Sequence, residues 1–267
     1  MGFIYEALKK AQQEGKWIEP GPMKAMESPD VALADWQLPG EVIKEFSMLK
    51  VKIQQAHAQQ GIQVFTITSS IPEEGRTTIA YILALMLSQS LNGYHNTGEK
   101  YFFRSDSMPK DKCKVLLIDA NLERPMLHRL FKASLSPGLT DFFFNSHSNT
   151  IFARSVAAGH LYLITAGTNY PHSNDIYNSA AMSELFKRLK ENFTYILIDA
   201  PAVLDNPGAL SLSRLADGVL FVVKANQTRL EVIDEAKLRL QDAGAKILGV
   251  VLNERRFFIP EGIYKRI

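Results

Sequence analysis

The chain has 267 residues, of which 46% are hydrophobic and 22% are charged, and its formal net charge at pH 7 is +2. These values are ordinary for one large soluble domain with a full core, and so small a net charge gives no electrostatic reason to expect nucleic acid as a partner. The single cysteine, Cys113, cannot form an internal disulfide, which suits a reducing cytoplasm.

The N-terminal region shows neither a membrane span nor a signal peptide. No apolar run approaches the roughly 18 residues that a spanning helix needs, and Glu6 and Lys9 interrupt the start of the chain. Apolar residues at near-helical spacing predict a short helix over 3–15, and four prolines within 17–39 predict a flexible tether. We therefore divide the chain into a helix and tether at 1–40 and one domain at 41–267, and expect a cytoplasmic location.

Strands and helices alternate from residue 41 onward. Helices are predicted at 42–53, from the loop after the first strand to about residue 90, at 179–191 and at 229–242. Apolar runs predict strands at 62–68, 114–119, 161–165, 195–199, 218–223 and 246–252. The polar, unpatterned stretch at 91–113 is predicted to be an inserted surface loop. This alternation predicts an α/β fold with a mostly parallel sheet covered by helices on both faces.

The first predicted strand runs into a segment similar to the phosphate-binding loop of P-loop NTPases. In such a loop, backbone N–H groups and a helix N-terminus hold phosphates, a lysine reaches the β and γ oxygens, and a Ser or Thr hydroxyl binds Mg²⁺. Gly75, Thr77 and Thr78 fit this pattern, whereas Arg76 replaces the lysine. The residues assigned to the nucleotide here are Ser70, Glu73, Glu74, Gly75, Arg76, Thr77 and Thr78.

Two further apolar strands each end in an aspartate, at Asp119 and Asp199. The carboxyl ends of buried parallel strands face a shared crevice, where such carboxylates can reach a metal bound to phosphate. The alternative is that an aspartate at this position only caps a turn or the next helix. Two such strands downstream of a phosphate-binding loop favour the metal site.

Three segments together resemble the Walker A, A′ and B motifs of the bacterial tyrosine kinases, or BY-kinases, of capsule and exopolysaccharide export. These segments are 69–78, 117–125 with His128, and 198–201. The likeness covers roughly residues 41 to 267 and includes 171–179 and 249–253. The segments at 4–11 and 256–264 are similar to the termini of a soluble subgroup encoded with exopolysaccharide and exosortase systems.

The resemblance implies ATP or ADP with Mg²⁺ as ligands, and a membrane chain-length or copolymerase protein as partner. It implies metal binding by Thr77, Asp119 and Asp199, and catalysis by Arg76, Asp119, Asn121 and Asp199. It also implies that Asn253 contacts the base, although a turn asparagine is the alternative. Arg124 and His128 match the A′ segment, but such an arginine can equally bond a nearby carbonyl.

Several departures from the family pattern point toward reduced catalysis. The planar guanidinium of Arg76 is expected not to fit the position of a lysine inside the loop. Glu73 replaces a glycine, which adds electrostatic repulsion toward a triphosphate and strain in the backbone. Asn121 replaces the aspartate expected to accept the tyrosine proton. Tyr264 stands alone where autophosphorylating members carry a tyrosine cluster. The helix that pairs family subunits into rings lacks its usual charges, since Lys44, Ser47 and Lys50 stand in their place.

Three functions are therefore weighed. The first is a degenerate kinase-like regulator of exopolysaccharide synthesis and export, with little or no kinase activity and no ring assembly. The second is a working tyrosine kinase or ATPase that accommodates Arg76. The third is a partitioning or division-site ATPase, which is disfavoured because Ile71 stands where that class carries an extra lysine.

Overall fold

Eight strands form one sheet in the computed structural model, which describes residues 24–27, 40–91, 114–144, 152–157, 160–169 and 173–254. The strands are β1 (Lys24–Glu27), β2 (Val64–Ser69), β3 (Val115–Asp119), β4 (Phe152–Ala157), β5 (Leu161–Ile164), β6 (Tyr195–Asp199), β7 (Gly218–Lys224) and β8 (Ile247–Asn253). The helices are α1 (Gly40–Gln60), α2 (Arg76–Leu91), α3 (Leu127–Leu130), α4 (Leu139–Phe144), α5 (Ala180–Asn192), α6 (Gly208–Leu215) and α7 (Leu230–Asp242), with a 3-10 helix at Ser173–Asn178.

The order of strands across the sheet is β1-β4-β5-β3-β6-β2-β7-β8. All neighbouring pairs are parallel except β4 and β5, which run antiparallel. The central strands are buried along their whole length, as expected for a sheet covered on both faces. The predicted α/β class with a mostly parallel sheet is confirmed.

Alternate residues of the central strands face two apolar cores. One core includes Phe65, Leu117 and Leu197 and packs against α1 and α2. The opposite face, with Leu116 and Ile196 among its residues, packs against α5 and its neighbours. Successive side chains of a strand point to opposite faces, so continuous apolar runs serve both cores.

Helix α2 is enclosed between the sheet and α1, which explains why it is apolar on every side. Residues 79–88 are all buried, including Tyr81, whose ring meets Phe131 edge-on at 4.7 Å between centroids. Such a helix is held by the surrounding core rather than by an amphipathic stripe. This core therefore fixes the N-terminus of α2 at the end of the segment that follows β2.

The strands and helices predicted for the domain are confirmed, with boundaries shifted by a few residues except at α1, which extends to residue 60. Two strands were not predicted: β4, and β1, which lies within the segment expected to be a tether. The predicted N-terminal helix, nearly all of the predicted insertion and the C-terminal segment after residue 254 lie outside the described residues. Among the helices that the structure describes, none has the length and hydrophobicity of a membrane span.

Candidate nucleotide site

The segment between β2 and α2 forms a tight loop at the carboxyl edge of the sheet. Gly75 has φ +90° and Glu73 has φ +66°, so both occupy the left-handed region that favours glycine. The strain expected at Glu73 is therefore present, at a cost of about 1 kcal/mol or more. The exposed Glu73 side chain and the first turn of α2 border the same loop.

Arg76 is folded into this loop rather than extended from it. Its side chain is buried, and its Nη1 donates to Ser69 Oγ over 2.7 Å and to the Ile71 carbonyl over 3.4 Å. Burial lowers the pKa of the guanidinium, and the charges of Asp199 and Asp205 oppose that shift. The guanidinium thus lies inside the loop, while its buried Nε has no hydrogen-bond partner among the described residues. That it cannot replace a lysine at the phosphates stays a prediction.

Thr77 and Asp199 connect the loop to the end of β6. Thr77 Oγ1 donates to Asp199 Oδ2 over 2.7 Å, while Asp199 Oδ1 is buried and makes no hydrogen bond among the described residues. Ser70 Oγ is also buried without a hydrogen-bond partner in that part of the chain, and the Ser70 carbonyl accepts from Leu204 N at 3.1 Å. Buried polar atoms left unpaired at one edge are typical of a site that holds a ligand.

Asp119 lies directly beside Asp199, because the two residues are register partners on β3 and β6. Asp119 accepts backbone hydrogen bonds from Asn121 at 3.3 Å, Met126 at 3.1 Å and Leu127 at 3.0 Å. Asp119 therefore caps the start of α3, which is the alternative role considered for an aspartate at the end of a strand. Asp199 instead accepts a hydrogen bond from Thr77.

The two aspartates of this pair have pKa values above the ordinary range. Burial is the main cause in both, and the charge of Asp199 adds to it at Asp119. The backbone donors oppose the rise at Asp119, and Arg76 and Thr77 oppose it at Asp199. Two neighbouring buried carboxylates favour a proton or a cation between them.

The A′ segment contributes a second group of side chains. Arg124 is exposed and lies near enough to Arg76 for its charge to lower the pKa of that guanidinium. Asn121 is buried, and its amide cannot act as a base. His128 Nδ1 is buried without a hydrogen-bond partner in the described chain, and burial followed by the charge of Arg129 lowers its pKa.

The remaining predicted residues, Glu74, Thr78 and Asn253, lie in the loop or next to it. Asn253 Nδ2 donates to the Glu74 carbonyl over 2.9 Å, and the Glu74 carboxylate is buried among protein donors. Thr78 is exposed on the first turn of α2. These contacts occupy the Asn253 side chain at the loop, so a contact with the base stays a prediction.

Two residues near the site were missed by the sequence analysis. Tyr177 Oη donates to the Ala120 carbonyl over 2.7 Å, and Asn206 Nδ2 donates to Glu123 Oε1 over 2.8 Å. Burial raises the pKa of Tyr177. An asparagine just before Pro207 and a helix is a capping signal that could have identified Asn206, whereas no local signal marks Tyr177.

The donor set fits a nucleotide with Mg²⁺. The Thr77 hydroxyl and the two aspartates offer the oxygen ligands that Mg²⁺ prefers, and the free Asp199 Oδ1 has no protein partner in the described residues. No group of three or more His, Cys, Asp or Glu that could hold a metal occurs within the described ranges, so the protein ligands alone do not form a cage. Mg²⁺ that arrives with phosphate is usually held by one or two protein carboxylates together with the phosphate oxygens.

No family model matches the chain. In sequence it is 26% identical to tyrosine-protein kinase YwqD of Bacillus subtilis over 213 residues, which cover 80% of this chain and 81% of that protein. It is also 26% identical to the succinoglycan biosynthesis transport protein ExoP of Rhizobium meliloti, over 78% of this chain but only 24% of that protein.

Two solved structures also match the fold of this chain. The kinase domain of VpsO matches with a TM-score of 0.63 and 27% identity, covering 81% of this chain and 98% of that one. The chimerical protein CapA2B2 matches with a TM-score of 0.69 and 22% identity, covering 94% and 100%. The resemblance found in the sequence motifs therefore extends to the fold.

Proposed function

Because the chain is related in sequence and fold to the bacterial tyrosine kinases, we propose that it is a kinase-like P-loop protein of exopolysaccharide or capsule biosynthesis. It binds ATP or ADP with Mg²⁺ and transfers the phosphoryl group slowly or not at all. The support for binding is the Thr77 and Asp199 contact beside a loop with left-handed Gly75.

The observation that carries the loss of transfer is the position of Arg76. Its Nη1 is bonded to Ser69 Oγ and the Ile71 carbonyl, so its charge is directed at protein oxygens. Phosphoryl transfer depends on positive charge positioned at the transferred group. A guanidinium held in this way stabilises the empty loop and supplies less charge to a bound γ-phosphate.

Two other residues also weaken phosphoryl transfer. Asn121 cannot accept the proton of a tyrosine hydroxyl, and Glu73 places a carboxylate at the rim of the phosphate loop. Thr77, Asp199 and Asp119 would hold Mg²⁺ that arrives with nucleotide, and the metal would neutralise part of the phosphate charge. Nucleotide binding is therefore less impaired than phosphoryl transfer.

The second candidate is a working kinase or ATPase, which the intact Thr77 and Asp199 contact favours. The turnover of ATP at saturating Mg-ATP separates the two candidates. We expect wild-type protein to show little turnover, and the triple variant Glu73→Gly, Arg76→Lys and Asn121→Asp to gain it. Substantial wild-type turnover, equal to or above that of the variant, would support the working kinase or ATPase instead.

The proposed partner is a membrane protein of polysaccharide export, to which this chain is recruited from the cytoplasm. The support is that the chain aligns with about a quarter of ExoP, whose name describes biosynthesis and transport. Co-purification with membranes should depend on co-expression of such a partner. Membrane association in its absence would contradict this part of the proposal.

A further inference from the structure

The Glu74 carboxylate is buried inside the protein next to the phosphate loop. Only 1% of the residue is exposed, and three donors surround the two oxygens. Oε2 accepts from Ile71 N over 3.0 Å, whereas Oε1 accepts from Lys224 N over 3.1 Å and from Thr228 Oγ1 over 2.6 Å. A buried carboxylate is tolerated when its oxygens are satisfied in this way.

The two sets of donors belong to different parts of the fold. Ile71 lies at the entry of the loop, so its bond to Glu74 fixes the curvature of residues 71–74. Lys224 and Thr228 lie at the two ends of the turn between β7 and α7, 150 and 154 positions further along the chain. One carboxylate thus joins the loop to a distant turn.

The backbone of Glu74 is tied to the same region. Its carbonyl accepts from Asn253 Nδ2 over 2.9 Å, and the Asn253 carbonyl accepts from Ala225 N over 2.9 Å. The Asn253 side chain also fills the space above Gly75, where an added Cβ would lie 2.0 Å from Nδ2. Both the peptide and the side chain of Glu74 are therefore held by the β7–α7 turn and the end of β8.

We propose that Glu74 is a positioning residue, and that its bond to Thr228 sets the affinity of the loop for the phosphates of a nucleoside diphosphate or triphosphate. Its carboxylate serves the loop and does not contact the ligand. This inference rests on the nucleotide binding proposed above. It revises the sequence-based assignment of Glu74, whose part in binding is exerted through the shape of residues 71–75.

Thr228 offers a mild test, because it is half-buried and Thr228→Val removes only the hydroxyl donor. The matched control Thr228→Ser keeps that donor. Two properties are measured on the full chain: the affinity for a fluorescent ADP analogue with Mg²⁺, and amide hydrogen exchange over residues 70–76 without nucleotide. We expect Thr228→Val to bind about five- to tenfold more weakly, and Thr228→Ser to stay within about twofold of wild type.

Hydrogen exchange separates this inference from nucleotide binding itself. Thr228→Val should exchange faster over 70–76 while β3 exchanges as in wild type, and Thr228→Ser should restore the protection. Unchanged exchange in the loop, or an equal increase throughout the sheet, would overturn the positioning role. If wild-type protein binds no ADP, the proposed function fails, and the exchange result alone decides whether Glu74 holds the loop.

Discussion

Thr77 Oγ1 donates a hydrogen bond to Asp199 Oδ2 over 2.7 Å and thereby joins the first turn of α2 to the end of β6. Asp199 Oδ1 keeps its lone pairs unused by the described residues. Under the proposed function this contact keeps oxygen ligands available for Mg²⁺, while Arg76 and Asn121 alter the groups that transfer would use. We therefore expect nucleotide binding and phosphoryl transfer to be separable.

Replacing the Thr77 hydroxyl should abolish the contribution of Mg²⁺ to nucleotide affinity. Thr77→Val removes one oxygen ligand, and we expect affinity for Mg-ADP to fall about tenfold or more, toward the metal-free value. Thr77→Ser keeps the oxygen and serves as the matched control. Titrations of ADP with and without Mg²⁺ measure the difference, and an unchanged Mg²⁺ dependence in Thr77→Val would contradict the assignment.

Gly75 should tolerate no side chain. Gly75→Ala forces φ +90° on a residue with a Cβ and places that Cβ 2.0 Å from Asn253 Nδ2. We expect a loss of about 1–3 kcal/mol in the free energy of unfolding, and loss of ADP binding. Gly249→Ala is the control, since its Cβ would meet nothing within 4 Å. Urea unfolding of both variants checks this, and equal stabilities would show that the loop adapts.

Asp217 should contribute stability that depends on pH. Burial alone would raise its pKa, but hydrogen bonds from Lys190 Nζ and from the amides of Val64 and Gln63 outweigh this and lower it. The stabilisation is therefore present above the unfolded-state pKa of about 3.9 and disappears as the pH falls through the lower folded-state value.

We expect Asp217→Asn to lose about 1–3 kcal/mol of unfolding free energy at pH 7, and the difference from wild type to shrink toward pH 3. Glu184→Gln, in an exposed pair with Lys187, should change stability by less than about 0.5 kcal/mol. Urea unfolding at both pH values measures this. A difference at Asp217 that does not vary with pH would show that its charge is unimportant.

The isolated protein should not form a closed ring. Lys44 is exposed on α1 and Lys50 lies on the same helix, so like charges would meet at a symmetric contact built from this helix. Light scattering at moderate salt should show no stable octamer. The resemblance noted in the sequence analysis implies glutamate, arginine and arginine at positions 44, 47 and 50. The variant Lys44→Glu, Ser47→Arg and Lys50→Arg introduces these residues and should promote larger assemblies. An octamer of the wild-type chain would refute this expectation.

The core strands could be predicted because their signal is local. Val115–Asp119 and Tyr195–Asp199 are short apolar runs that end in a carboxylate, and both lie in the centre of the sheet. The strands β1 and β4 gave no such signal, because Lys24–Glu27 carries charges at both ends and Phe152–Ala157 contains Arg154. Their pairing with each other at the sheet edge is a tertiary effect.

The sequence predicted which candidate residues lie together at the edge of the sheet but not their contacts, and their roles stay predictions. Motif spacing identified Arg76, Thr77 and the two aspartates, since such motifs are contiguous in sequence. The burial of the Arg76 guanidinium depends on acceptors supplied by Ser69 and Ile71, which composition does not reveal. Its neighbour Glu74 bonds Thr228, 154 positions away, and no local pattern encodes a pairing over that distance.

The most direct test of the account is isothermal titration of the purified protein with Mg-ATP, beside the variant Arg76→Lys. We predict measurable binding by wild-type protein and tighter binding by the variant, because a lysine releases the loop oxygens that now bond the guanidinium and directs its charge to the phosphates. Absence of binding in both proteins would contradict the account and would leave the loop a purely structural element.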